Sequence, residues 1–170
     1  VGFLHGSAAT YTDDRYLFKK MGTMGTIYPV VKDVEDGWWK DPKRARQITD
    51  VFNKVVLNGD IANNLASTAL VTNAYMYTGE EKYKQWVLDY VEVWMDRIKK
   101  NGGIIPDNVG PTGKIGENRD GQWWGGLFGW SYYMGLNIMF HGLVIASECA
   151  QMLTGDSGYL DLLRSQLEVV

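Results

Sequence analysis

Thr78-Gly79-Glu80-Glu81-Lys82-Tyr83 and Thr154-Gly155-Asp156-Ser157-Gly158-Tyr159 are two copies of one device, Thr-Gly-acid-x-x-Tyr. Glycine ends one helix in a left-handed turn, because it alone takes that backbone conformation without steric cost. The acid then starts the next helix, whose N-terminal end favours negative charge. The tyrosine packs back over the turn. A relative, Thr12-Asp13-Asp14-Arg15-Tyr16-Leu17, stands near the start of the chain.

The segments on either side of each copy differ. Residues 60–77 carry Ile61, Leu65, Ala66, Ala69, Leu70, Ala74 and Tyr77, and their polar residues are small and uncharged. A helix without charge on any face reads as buried. Asp60 reads as its cap. Residues 80–100 place Tyr83, Trp86, Val87, Tyr90, Val91, Trp94 and Ile98 on one stripe and most charges elsewhere, the pattern of a half-exposed outer helix. Residues 137–153 repeat the buried type and 156–168 the outer type. Upstream, Asp41 and Pro42 open a further helix over 42–57, with Ala45, Ile48, Phe52, Val55 and Val56 at spacings of three and four and Asn58-Gly59 as its stop.

The fold class is therefore all-α, built of helical hairpins that must stack on neighbours to bury both faces. The connection 101–136 is far longer than the others, which departs from the short strict periods of TPR and HEAT arrays. The opening at Val1 and the close at Val169-Val170, in mid-helix by pattern, read as one partial domain, 1–170, internal to a longer chain.

Composition narrows the function. Net charge is −3 without a basic block, which argues against a nucleic-acid partner. No uninterrupted run of 18 apolar residues exists, so no membrane span is expected. Cys149 is the one cysteine and reads as a buried structural thiol. No His, Cys and carboxylate cluster has metal-ligand spacing, no phosphate loop is present, and no cofactor is implied. Seven tryptophans are unusual in a chain of 170 residues; their flat faces suit sugar rings and their edges donate hydrogen bonds.

Buried helix, Thr-Gly-acid-x-x-Tyr turn, exposed helix and long Trp/Gly loop together resemble the (α/α) toroid superfamily of carbohydrate-active proteins over roughly residues 41–170. Its members include unsaturated glucuronyl hydrolases, other glycoside hydrolases, polysaccharide lyases and sugar epimerases. The resemblance implies a ring of hairpins, of which this chain would form an incomplete part, and an oligo- or polysaccharide partner. It assigns no catalytic motif residue by residue.

In such a ring the long loops open on one face. The loop 101–136 holds Gly121-Gln122-Trp123-Trp124-Gly125-Gly126-Leu127-Phe128-Gly129-Trp130, an aromatic floor that Trp39 extends. Either these rings stack on sugar or the loop is self-packed around them. Asp107, Glu117 and Asp120 flank the cluster, with Asn118 and Arg119 beside Asp120. Glycoside hydrolysis needs one protonated and one ionised carboxyl, and Asp107 with Asp120 is the expected pair. Trp desolvation would raise one pKa and Arg119 would hold the other carboxyl ionised. Their alternative role is as turn formers. His141 and Glu148, seven residues apart on one helix face, are either a base with a substrate contact or a self-satisfying core pair. The leading expectation is a glycoside hydrolase. The competing ones are a lyase, with His141, Tyr132 or Tyr133 taking the proton and Arg119 neutralising a uronate, and a glycan-binding toroid without catalysis. A toroid acting on terpenoids fits less well with the polar Asn, Arg and Asp company.

Overall fold

The computed structural model describes residues 40–43, 45–46, 59–107, 109–117, 121–124, 129–130 and 135–170. Over these the chain is all-α. The described helices are α1 (Thr68–Thr78), α2 (Glu81–Lys100), α3 (Gly135–Thr154) and α4 (Asp161–Leu167); a 3-10 turn at Ala62–Ser67 leads into α1, and another at Ser157–Leu160 connects α3 to α4. The expected helix over 42–57 begins as read: Asp41 accepts the Lys43 N–H at 2.9 Å, and Ala45 N donates to the Asp41 carbonyl. Its remainder lies outside the described residues.

The repeated motif has the same geometry in both copies. Gly79 and Gly155 sit at φ 70° and 77°, and their N–H groups close on Tyr75 and Gln151 carbonyls at 2.7 Å each. The threonine has a role that the pattern alone does not give. Thr78 Oγ1 donates to the Ala74 carbonyl and accepts the Glu80 N–H, and Thr154 Oγ1 does the same with Ala150 and Asp156. One hydroxyl thus ties the last turn of one helix to the first residue after it. The second tyrosine reaches further than its own turn: Tyr159 donates to Glu92 on α2 at 2.8 Å and so ties the two hairpins together.

Each tight turn makes its helices antiparallel. Tyr159 lies against Glu92, and Gln166 at the end of α4 lies against Gly103 and Ile105 just beyond α2. Thus α2 and α4 run parallel, and so do α1 and α3. Both Thr-Gly turns fall at one end of the stack, and the long loop falls at the other. The core between hairpins holds Leu65, Val87, Val91, Trp94, Met139, Leu143, Ala146 and Leu162, all essentially without exposure. Each of the larger ones stabilises the fold by ~1.5–3 kcal/mol. Approach is close near the loop end, where a Cβ on Gly142 of α3 would collide with the Ala62 carbonyl.

Several expectations are corrected here. The helix after Asn58-Gly59 begins as a 3-10 turn with Ile61 at its cap position, and no side chain caps it. Asp60 is therefore not a helix cap. Its carboxylate serves distant partners, described below. The two helices read as buried, α1 and α3, are buried on one side only. Leu70 and Tyr77 of α1 are 74% and 93% exposed, and α3 exposes Asn137, His141, Glu148 and Met152. Absence of charge marks a face that prefers cover, not one that has it. Trp86 leaves the α2 core stripe and lies 5.2 Å from the Tyr90 ring. Cys149 is half-buried against the core. Averaged hydropathy also differs from the count of apolar runs: Leu136–Thr154 reaches a mean of 1.2 and is long and apolar enough to cross a membrane by length and composition. In this fold it packs against the three other helices, and its open side carries His141 and Glu148.

Candidate functional site

The long loop is pinned before it can present anything. Ile105 and Val109 enter the core with no exposure. Gln166 of α4, also fully buried, accepts the Ile105 N–H at 2.7 Å and donates to the Gly103 carbonyl at 3.0 Å. Its amide thus substitutes for the strand partner that this extended segment lacks. On the other side Val109 makes isolated bridges to Asp60 and Ile115. The turn that follows is held by Glu117, whose Oε2 accepts from the N–H and hydroxyl of Thr112.

Asp107 joins the two arms of the loop. Its N–H donates to the Trp123 carbonyl at 3.1 Å, and its Oδ2 accepts the Trp130 N–H at 2.7 Å. The Trp130 indole donates to the Ile105 carbonyl at 2.8 Å. The carboxylate is 1% exposed, and it fits because the residue facing it is Gly129: a Cβ there would overlap the Asp107 side chain. Asp107 and Trp130 therefore hold the loop together from within.

Trp123 is half-buried, and Trp124 is 46% exposed. Trp124 is the aromatic that this loop shows to solvent among its described residues. Gln122 fixes the backbone there by donating to the Trp124 carbonyl at 2.8 Å. His141 stands in the second turn of α3, at the same end of the stack, and is exposed. Glu148 is exposed on the same helix, and no ion pair joins the two, so they are not a self-satisfying core pair. Asn118, Arg119, Asp120 and Trp39 lie outside the described residues, as do Tyr132 and Tyr133. Among the described residues no three His, Cys, Asp or Glu side chains converge as a metal site would require.

A second polar centre escaped the sequence reading. Asp60 accepts from the Tyr90 hydroxyl at 2.6 Å, from Arg97 Nη1 at 2.5 Å and from Asn64 Nδ2 at 3.1 Å, while its own N–H donates to the Val109 carbonyl. Burial, and then the Asp60 charge, push the Tyr90 hydroxyl far above its ordinary pKa. The Arg97 guanidinium also lies 4.6 Å over the Trp94 ring. The signal available in the sequence was the spacing of Tyr90 and Arg97, seven apart on one face of α2.

The sequence matches the family described as domain of unknown function DUF8034 over residues 4–170. The chain belongs to that family. No curated protein and no solved structure matches it. The loop end of this DUF8034 domain carries exposed Trp124 and His141.

Proposed function

We propose that this chain is a run of hairpins from an (α/α) toroid and that its loop end binds carbohydrate, with glycoside hydrolysis as the activity. Exposed Trp124, on a loop fixed by Asp107, Gln122 and Gln166, carries the reading. A flat indole held at the surface on a rigid backbone offers a stacking face that is already in place, so little ordering is needed on binding. The parallel run of α1 with α3, and the gathering of both tight turns at the opposite end, support the toroid: further hairpins added in the same sense would keep one face for loops.

For the hydrolytic step, Asp120 is the first carboxylate to test, since it lies three residues before Trp123. Asp107, enclosed beneath Trp130, is the weaker member of the pair. Its burial favours a second reading, in which the loop binds glycan without cleaving it.

The experiment is a panel of oligosaccharides against the chain, followed by tryptophan fluorescence and by release of reducing ends. Trp124→Ala should weaken binding about tenfold without lowering thermal stability, since it removes a stacking face and no core contact. Asp120→Asn should leave binding intact and slow release by about 10²–10⁴ if it is the general acid. Binding without turnover in the parent selects the second reading. Failure of every saccharide to bind, or equal binding by Trp124→Ala, removes both.

A further inference from the structure

Between the last two turns of α2 and the turn at 113–115 lies a groove of about 510 Å³. Three cations line it, Arg97, Lys100 and Lys114, against one acid, Asp96. In a chain of net charge −3 that is a local reversal of sign. Val93 and Ile115 give it apolar walls.

The cations differ in how they are held. Arg97 is fixed: its Nη1 is ion-paired with Asp60, its plane lies over the Trp94 ring, and its side chain is only 11% exposed. Its Nη2 faces Gly113, where even an added Cβ would stand 3.9 Å away. The helix end accounts for part of this charge, since Arg97 and Lys100 offset the partial negative charge of the α2 C-terminus. It does not account for Lys114, which comes from the loop and has no carboxylate partner among the described residues. Among the described residues Lys100 pairs with Asp96, and both side chains are more than half exposed, so water screens that pair strongly.

We propose that this groove binds an oxyanion, a carboxylate, sulfate or phosphate carried on a small polar molecule. Arg97 Nη2 supplies the fixed donor and sets where the oxyanion sits. Lys114 and Lys100 close on it from the loop and from the helix. Val93 and Ile115 take the carbon body of the ligand. Because Asp60 and Trp94 already immobilise the guanidinium, the ordering that an arginine contact normally requires is completed on folding. The inference rests on the groove residues alone and survives if Trp124 binds nothing.

The test is amide and arginine side-chain NMR of the whole chain, titrated separately with glucuronate, glucose, inorganic sulfate and inorganic phosphate. Glucuronate and glucose share a ring and differ by the carboxylate. Glucuronate and at least one inorganic anion should move the Gly113, Lys114 and Ile115 amides and the Arg97 side chain. Dissociation constants should lie in the millimolar range and weaken with added salt, as for a partly exposed charged site. Glucose should leave these signals unmoved. Lys114→Gln, an exposed change that leaves the core alone, should weaken binding about two- to fivefold, and Lys100→Gln with it about tenfold. Lys84→Gln, at the other end of α2, should titrate like the parent. Equal shifts with glucose, absence of shifts with every anion, or a Lys114→Gln titration identical to the parent would each overturn the proposal. Retained anion binding in Trp124→Ala would separate this groove from the carbohydrate reading.

Discussion

Replacing Asp107 by alanine removes the acceptor for the Trp130 N–H from an enclosed position and leaves the Asp107 backbone bond to Trp123 in place. The carboxylate is 1% exposed, so water cannot simply take its role. A hydrogen bond contributes about 0.5–1.5 kcal/mol net, and a part-buried donor left without a partner costs about 1–3 kcal/mol. We expect Asp107→Ala to destabilise the chain by about 2–4 kcal/mol. For a chain of this size that corresponds to a fall in Tm of about 5–15 °C. Asp107→Asn keeps an acceptor oxygen but introduces a buried donor, so its loss should be about half as large. Thermal unfolding followed by circular dichroism gives the global value, and tryptophan emission reports the loop through Trp123 and Trp130. Parent-like unfolding of both variants would refute the inward role assigned to this carboxylate. Parent-like unfolding together with a 10²–10⁴-fold loss of glycan hydrolysis would make Asp107 a catalytic residue instead.

Gly129→Ala places a methyl in the space of the Asp107 side chain, so it should destabilise at least as much as Asp107→Ala. The double variant should cost less than the sum, because removing the carboxylate makes room; simple additivity in urea unfolding would contradict the packing. Gly79→Ala and Gly155→Ala meet no neighbouring atoms and should each cost about 1 kcal/mol from the left-handed backbone alone, with matching values because the turns match. Burial, and then Glu92, push the Tyr159 hydroxyl from 10.0 up to about 12. The folded chain therefore holds this proton more tightly than the unfolded one, so the contribution is complete below pH 10 and is lost as pH rises towards 12. Tyr159→Phe should flatten that alkaline fall in the urea midpoint, and an unchanged slope would rule the linkage out.

The turn motif was legible because its determinants are local. Glycine at positive φ, a threonine hydroxyl between two backbone groups and a following acid all lie within three residues, and their geometry recurs unchanged at 78–80 and 154–156. The α2 stripe was legible for the same reason: Val87, Val91, Trp94 and Ile98 share a face whatever they pack on. Asp60 was misread because a carboxylate after Gly59 satisfies the local rule for a cap equally well. Its actual partners, Tyr90 and Arg97, are 30 and 37 residues away and meet it only once α2 folds back.

Asp107 shows the same limit at the candidate site. By residue type, an aspartate between proline and asparagine reads as an exposed turn former or an acid in a cleft. Its burial depends on Gly129, 22 residues on, and on Trp130, whose N–H it accepts. A short-range pattern carries no trace of that complementarity. The consequence for chemistry is direct. Composition could place Trp and Asp in one loop, but only packing decides which face outward, and it turns Asp107 and Trp130 inward while leaving Trp124 exposed to solvent. Among the described groups at this end, Trp124 and His141 stand exposed, whereas Asp107 is enclosed beneath Trp130, so the pairing expected from the sequence pattern joins residues of unlike surroundings.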